Sequence, residues 1–239
     1  MSNYDKELIK KYVPFSKWED ANKLLESGYP VQYIIGHVDF YDCLINVDQN
    51  VLIPRFETEY LVDDLLKLMK RNNFVSPNII DIGTGSGCIS IALKKNYNCK
   101  ITAIDNSKEA LSLARQNAIQ NNVNINFLYN DIETFTTNEK FDILVSNPPY
   151  VPYEDEVDPK TKYEPQNAIF ATENGLYFYK LILQKSKHIL NSYNIIAFEV
   201  GDGQFASIKQ LAKDIYPNAN IILKKDLANK ERYIYIIND

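Results

Sequence analysis

Asn78-Ile79-Ile80-Asp81-Ile82-Gly83-Thr84-Gly85-Ser86-Gly87-Cys88 is the stretch on which the fold turns. An apolar strand beginning at Asn78 runs into a loop with glycine at 83, 85 and 87, and the loop opens into a helix-like stretch from Cys88 to Lys95. Glycine at alternate positions lets the backbone turn tightly and approach a ligand closely, and the helix N-terminus behind it favours a carboxylate or phosphate. The spacing is G-x-G-x-G rather than the G-x-G-x-x-G of dinucleotide binders, which disfavours a nicotinamide oxidoreductase.

Outward from this loop, strand and helix patterns alternate. Lys100-Ile-Thr-Ala-Ile104 reads as a second strand ending in Asp105, and a helix follows from Ser107 to Asn121. A third strand, Asn124 to Tyr129, ends in Asn130-Asp131-Ile132, and a fourth is Phe141-Asp-Ile-Leu-Val-Ser146. Such alternation predicts a parallel sheet in an α/β fold, whose ligands sit outside the carboxyl ends of the strands. At those ends Asp105 can accept from both hydroxyls of a ribose, and Asp131 and Ile132 suit an adenine edge. Farther on, Leu176 to Leu190 reads as a helix, Ile195 to Val200 as a strand, Phe205 to Ile215 as a helix, and Ile221–Lys224 with Tyr233–Ile237 as a closing strand pair.

The fourth strand closes on Asn147-Pro148-Pro149-Tyr150. Each proline locks φ near about −65° and keeps the preceding residue out of the helical region, which aims the Asn147 side-chain carbonyl and the Pro148 backbone carbonyl without requiring an N–H partner for either proline. Two fixed acceptors can grip the two N–H groups of an –NH₂ whose lone pair is delocalised. Tyr150 is expected to be an aromatic wall against that planar group. The pattern points to methyl transfer onto a planar nitrogen.

Composition sets bounds that agree. The chain has 239 residues, 45% of them hydrophobic, enough for one large α/β domain and a small accessory part. A net charge of −5 gives no nucleic-acid footprint. Cys43, Cys88 and Cys99 have no C-x-x-C spacing, so no metal site and no disulfide framework is implied. No apolar stretch is long enough to span a membrane, and the start, Met1 to Lys6, lacks a basic-then-apolar pattern; a cytoplasmic protein is expected.

Ahead of the α/β pattern, Ser16-Lys-Trp-Glu19 reads as a capping box opening a short helix to about Glu26, ended by Gly28 and Pro30. Tyr33-Ile-Ile35, Cys43-Leu-Ile-Asn-Val47 and Val51-Leu-Ile53 read as strands of a β-hairpin connector, and Glu57 to Arg71 as an amphipathic helix. The polar stretch Val151 to Thr172, with prolines at 152, 159 and 165, is expected to be a loop covering the substrate. His37 and His188 are read as structural or solvated, Arg55 and Glu57 as a domain-linking salt bridge, with a substrate role as the alternative, and Glu164 as a loop anchor or a contact to substrate.

At these residues the chain resembles the class I S-adenosylmethionine-dependent methyltransferases, and more closely the HemK/PrmC group, which methylates the glutamine of the Gly-Gly-Gln motif in class-1 peptide-chain release factors. The finer resemblance lies in Pro30-Val-Gln-Tyr-Ile-Ile-Gly36 with Phe40, Val51-Leu-Ile-Pro-Arg-Phe-Glu-Thr-Glu59, Tyr163-Glu-Pro165, Asn174-Gly-Leu176, Phe198-Glu-Val-Gly201 with Gln204, and Asp226-Leu227 with Arg232. It runs from about Gly28 to the C-terminus. Phe56 replaces a proline of the family pattern, Asn229 a glycine, and Ile132 a frequent aromatic; the segment before Pro30 is shorter than the family's N-terminal helical domain.

The resemblance implies a Rossmann-like seven-stranded class I methyltransferase sheet with its last strand antiparallel. It divides the chain into a short N-terminal helical segment (1–32), a β-hairpin connector (33–56) and a methyltransferase domain (57–239). The cofactor would be S-adenosyl-L-methionine, held by Asp81, Gly83, Thr84, Gly85, Ser86 and Gly87 at its methionine end, by Asp105 at the ribose and by Asp131 and Ile132 at the adenine, with Asn147 beside it. Asn147, Pro148 and Tyr150 would be catalytic, and the same three with Pro149 would hold the glutamine. The implied partner is a class-1 release factor, with no nucleic acid or membrane and with the enzyme acting as a monomer. Rival readings are a glutamine methyltransferase acting on a ribosomal protein, an adenine-N6 DNA methyltransferase, and a cofactor-binding regulator without turnover.

Overall fold

In a computed structural model, which describes residues 3–238, the order of elements follows the alternation of the sequence. Strands β3 (Asn78–Ile82), β4 (Lys100–Asp105), β5 (Asn126–Tyr129), β6 (Phe141–Ser146), β9 (Leu190–Glu199), β10 (Asn220–Lys225) and β11 (Glu231–Asn238) form one sheet in the order β10-β11-β9-β6-β3-β4-β5. All neighbours pair in parallel except β11, which runs antiparallel to both β9 and β10.

Helices cover both faces, so the buried strands read as apolar runs with period-two sorting. In β3, Ile79 joins the core under α4 (Phe56–Arg71), α5 (Cys88–Asn96) and α6 (Lys108–Gln120), while Ile80 and Ile82 join the core under α7 (Tyr177–Ile189) and α8 (Phe205–Ile215). The α4 stripe of Leu61, Leu65 and Met69 is fully buried, each side chain worth about 1.5–3 kcal/mol on removal from water. Register then sets the site. Ile82 lies level with Ile104 and Ser146, and Ser146 with Phe198, so Gly83, Asp105, Asn147 and Glu199 emerge together at one edge.

Five expectations change. The N-terminal segment carries not one helix but α1 (Asn3–Tyr12), α2 (Trp18–Glu26) and α3 (Val31–Ile35). The capping box does not form: Ser16 lies in a 3-10 turn, Phe15–Lys17, and Lys17 at the head of α2 makes no side-chain cap bond. Met1 and Ser2, which open that segment, and Asp239, which ends the chain, lie outside the described residues.

Tyr33-Ile-Ile35 is helical rather than a strand. Pro30 enters α3 with φ −59° and Gly36 ends it in the left-handed region, a pairing that suits a short helix. Helical spacing lets Val31, Ile34 and Ile35 complete a separate small core with Ile9, Ala21 and Leu25. The hairpin is β1 (His37–Phe40) with β2 (Cys43–Asn46), turning at Tyr41 and Asp42, both at positive φ; Val51 to Ile53 is not a strand.

The stretch after Tyr150 is built rather than a plain loop. β7 (Val151–Pro152) pairs with β8 (Phe170–Ala171), with 3-10 turns at Pro159–Tyr163 and Gln166–Ala168 between them. Its anchor is Glu164, only 5% exposed, which accepts from the Ile53 amide at 3.0 Å and the Arg55 guanidinium at 2.6 Å. Tyr163 reaches the Ser27 carbonyl, tying the stretch to the N-terminal helices. Among the described residues no helix is long and apolar enough to cross a membrane.

Candidate active site

A cleft opens at the carboxyl edge of the sheet, over the ends of β3, β4 and β6. The chain turns outward in both directions from the β3–β6 pair, and such a switch in strand order leaves a crevice there.

The glycine loop is strapped to the end of β4. Gly83 and Thr84 donate their amides to the Ile104 carbonyl, and the Gly85 amide reaches Asp105 Oδ2 at 2.8 Å. Gly85 has φ +54°, and a Cβ there would meet no protein atom within 4 Å, so the space it would fill is cleft. Beneath the loop Asp81 is completely buried. Its Oδ2 accepts from Thr84 at 2.7 Å and Ser90 at 2.6 Å, while Oδ1 has no partner among the described residues. Loss of water pushes this carboxyl up to about 6, against the pull of the two hydroxyls.

Asp105 is raised by the same burial, countered by the Gly85, Ser107 and Asn106 amides. Those bonds aim both oxygens while leaving lone pairs for a ligand: Oδ1 takes the Ser107 amide at 2.9 Å. Asp131 accepts from the Asn106 side chain at 3.1 Å and from the Glu133 amide, which holds the next strand end against β4. Ile132, Phe178 and Ile182 give the cleft an apolar end. An orphaned buried carboxylate oxygen, a glycine cradle and a fixed strand-end acid next to an apolar slot form a donor-seeking set. It fits a nucleoside that carries a cationic amino-acid end.

Asn147, Pro148 and Pro149 line the same cleft. Asn147 Nδ2 lies 3.4 Å from Thr58 Oγ1, and Thr58 in turn donates to Glu199 Oε2 at 2.6 Å. Among the described residues none donates to the Pro148 carbonyl. Burial raises Glu199, opposed by the Thr58 hydroxyl and the Arg232 charge. Asn147 and Pro148 thus bring two carbonyl groups to the edge where the glycine loop ends.

Of the residues expected at the site, Gly83, Thr84, Gly85, Ser86, Asp105, Asp131, Ile132, Asn147, Pro148 and Pro149 line the cleft, whereas Asp81, Gly87 and Tyr150 do not. Asp81 acts from below the loop, and Gly87 is the residue that caps the start of α5. The Tyr150 ring lies against Gly201, and its hydroxyl sits between Glu199 Oε1 at 3.5 Å and Arg232 Nη1 at 3.4 Å. The wall expected of Tyr150 is therefore behind the lining, and Pro149 stands in front. Thr58, Asn106, Asn167 and Phe178 line the cleft without having been singled out. Adjacency to Asp105 was a signal for Asn106; the others come from α4, the 151–172 stretch and α7, and only tertiary packing brings them in.

Comparison with known proteins adds the following. The profile of the methyltransferase small domain matches residues 58–162. A chain named release factor glutamine methyltransferase, from Streptococcus pneumoniae, is 40% identical over 222 residues, covering 91% of this chain and 78% of the relative. The crystal structure of a release factor-specific protein-(glutamine-N5) methyltransferase from Alicyclobacillus acidocaldarius is 25% identical, with a TM-score of 0.51 over 81% of this chain and 99% of that one. A methyltransferase from Pyrococcus furiosus shares the fold, with a TM-score of 0.62 at 20% identity over 82% of this chain and 88% of that one.

Proposed function

The chain belongs to the release factor glutamine methyltransferase family, and from that premise we propose that it transfers a methyl group from S-adenosyl-L-methionine to the side-chain amide nitrogen of the glutamine in the Gly-Gly-Gln motif of class-1 peptide-chain release factors. The observation that carries the reading is that Asn147 and Pro148 share one cleft with the Gly83–Ser86 loop and Asp105. Its net charge of −5 supports a protein acceptor rather than nucleic acid, and the reading takes the enzyme as a cytoplasmic monomer.

When bound, S-adenosyl-L-methionine supplies an electrophilic methyl group on a positively charged sulfur. Gly83, Thr84, Gly85 and Ser86 would hold its methionine end, with Asp81 and Gly87 shaping the loop from behind; Asp105 would take the ribose, and Asp131 and Ile132 the adenine. Asn147 Oδ1 and the Pro148 carbonyl would accept the two amide N–H groups of the glutamine, which turns the nitrogen lone pair toward the methyl. Pro149 would bound the pocket, and Tyr150 would brace it through its backbone and its hydroxyl. Alignment and exclusion of water supply most of the rate, because charge is dispersed rather than created in the displacement. The alkylated amide nitrogen sheds its proton readily, so no strong base is needed. The small N-terminal core and the connector, residues 1–32 and 33–56 in this reading, would carry contacts to the release factor, and residues 57–239 the chemistry.

Mass spectrometry of the Gly-Gly-Gln peptide tests this, after a purified class-1 release factor is incubated with the protein and S-adenosyl-L-methionine, with ribosomal protein and duplex DNA as competing acceptors. One added methyl on that glutamine, abolished by Asn147→Ala while cofactor binding survives, is the expected result. Label on a competing acceptor instead, or transfer by Asn147→Ala, would refute it.

A further inference from the structure

An asparagine side chain has nearly the same shape when its amide is turned over, yet the two orientations offer opposite ends. If Asn147 presented its –NH₂ to a substrate –NH₂, two donors would face each other and the grip would fail. Something must set its polarity, and the surroundings of Thr58 do so.

Thr58 is 2% exposed and lies in the first turn of α4; Glu199 is 2% exposed and ends β9. The single hydroxyl proton of Thr58 goes to Glu199 Oε2 at 2.6 Å. The other carboxylate oxygen of Glu199 faces the Tyr150 hydroxyl at 3.5 Å, and that hydroxyl accepts from Arg232, itself ion-paired to Asp226 at 3.1 Å. The Glu199 backbone carbonyl is held by Tyr179 at 2.7 Å. Donors thus converge on Glu199 from both sides, and it is left only to accept. With its proton committed, Thr58 Oγ1 can offer Asn147 only lone pairs.

We propose that Thr58 is a positioning residue for methyl transfer: by accepting from Asn147 Nδ2 at 3.4 Å it turns the Asn147 carbonyl toward the reacting amide. The inference rests on the reading of Asn147 as half of the amide clamp. The role of Thr58 is to act through Asn147.

The test compares Thr58→Val, which keeps shape and loses the hydroxyl, with Thr58→Ser, which keeps the hydroxyl. Steady-state rates with S-adenosyl-L-methionine and a class-1 release factor give kcat and both KM values, and ¹⁵N–¹H spectra follow the Asn147 side-chain amide, assigned by its absence in Asn147→Ala. Thr58→Val is expected to lower kcat by at least about tenfold, the effect of one misdirected hydrogen bond, with the cofactor KM changed by less than about twofold. Thr58→Ser is expected to recover most of the rate, and the Asn147 signals should move in the valine variant only. Wild-type kcat in Thr58→Val, or unmoved Asn147 signals, would overturn the proposal. Should the valine variant not fold, the wild-type protein decides. One Asn147 Nδ2 proton protected from solvent exchange supports the bond, and equal exchange of the two overturns it. If wild-type protein leaves the glutamine unmethylated, the proposed function fails while the spectra still judge Thr58; if the glutamine is methylated equally by wild type and Thr58→Val, only the Thr58 inference falls.

Discussion

Replacing Asp81 by asparagine should stabilise the ligand-free protein at neutral pH, although the residue sits in the middle of the core. Asp81 is fully buried, with one oxygen satisfied by Thr84 and Ser90 and the other without a partner among the described residues. Burial lifts its carboxyl from the ordinary 3.8 to about 6, which corresponds to about 3 kcal/mol, since each pH unit is worth about 1.4 kcal/mol. The sign follows from proton binding. Between about pH 4 and 6 the native state keeps a proton that the unfolded chain has released, so stability falls as pH rises through that window, and above it the native state carries the full cost of the buried charge.

Asparagine can keep its carbonyl oxygen toward Thr84 and Ser90, places an uncharged nitrogen where Oδ1 stood, and does not titrate. Urea unfolding followed by far-UV circular dichroism, on both proteins at about pH 4.5 and pH 8, should show the variant gaining about 2 kcal/mol relative to wild type across that interval. The comparison cancels the raised carboxyls of Glu59 and Glu199, which both proteins share; Asp105, whose charge helps to raise Asp81, moves in the same direction as the main effect. A difference that is flat with pH, or that favours wild type more strongly at pH 8, would refute the argument. Calorimetric titration with S-adenosyl-L-methionine should show weaker binding by the variant, because the charge that is lost lies directly beneath the glycine loop that would hold the cationic methionine end.

Two further outcomes follow from packing. Glu164→Ala strands the buried Ile53 amide and the half-exposed Arg55 guanidinium, and should cost about 2–3 kcal/mol in urea unfolding, with proteolysis newly admitted at Glu154 to Asp158; Glu164→Gln, whose one oxygen keeps one of the two bonds and turns an –NH₂ toward the other donor, should cost about 1–2 kcal/mol. Gly175→Ala would set a Cβ 2.0 Å from the Tyr150 carbonyl at φ +79°, whereas the same change at Gly203, φ +80°, meets no atom within 4 Å. In thermal or urea unfolding the first should lose at least about 2 kcal/mol more than the second, whose cost is the backbone strain of about 1–2 kcal/mol alone. Equal losses would mean that the carbonyl yields freely, and with it the backbone that follows Pro149.

Much of this protein was legible along the chain. The alternation from Asn78 to Ser146 determined the parallel sheet because β3, β4 and β6 are buried on both faces, and a strand that must be apolar throughout between turn residues leaves a pattern that survives in one dimension. The carboxyl-end positions of Gly83, Asp105, Asp131 and Asn147 followed from the same alternation, since the crossover helices of a parallel sheet return every strand to the same edge.

What sequence alone misjudged depends on contacts between distant segments. Tyr33-Ile-Ile35 carries a strand-like composition, yet its partners are Ile9 and Leu25, and only a helix turns Val31 and Ile34 toward them. Glu164 reads as a loop anchor along the chain, but what it anchors to does not, because the groups that offset its burial are Ile53 and Arg55, more than a hundred positions earlier. Tyr150 illustrates the division best: local chemistry fixed the turn that places it after Pro149, but which way its ring went was decided by space beside Gly201 and by the Glu199 and Arg232 groups that its hydroxyl could reach. A local pattern determines which backbone forms; the direction of a side chain that leaves it is settled by whatever the rest of the fold brings within hydrogen-bond distance.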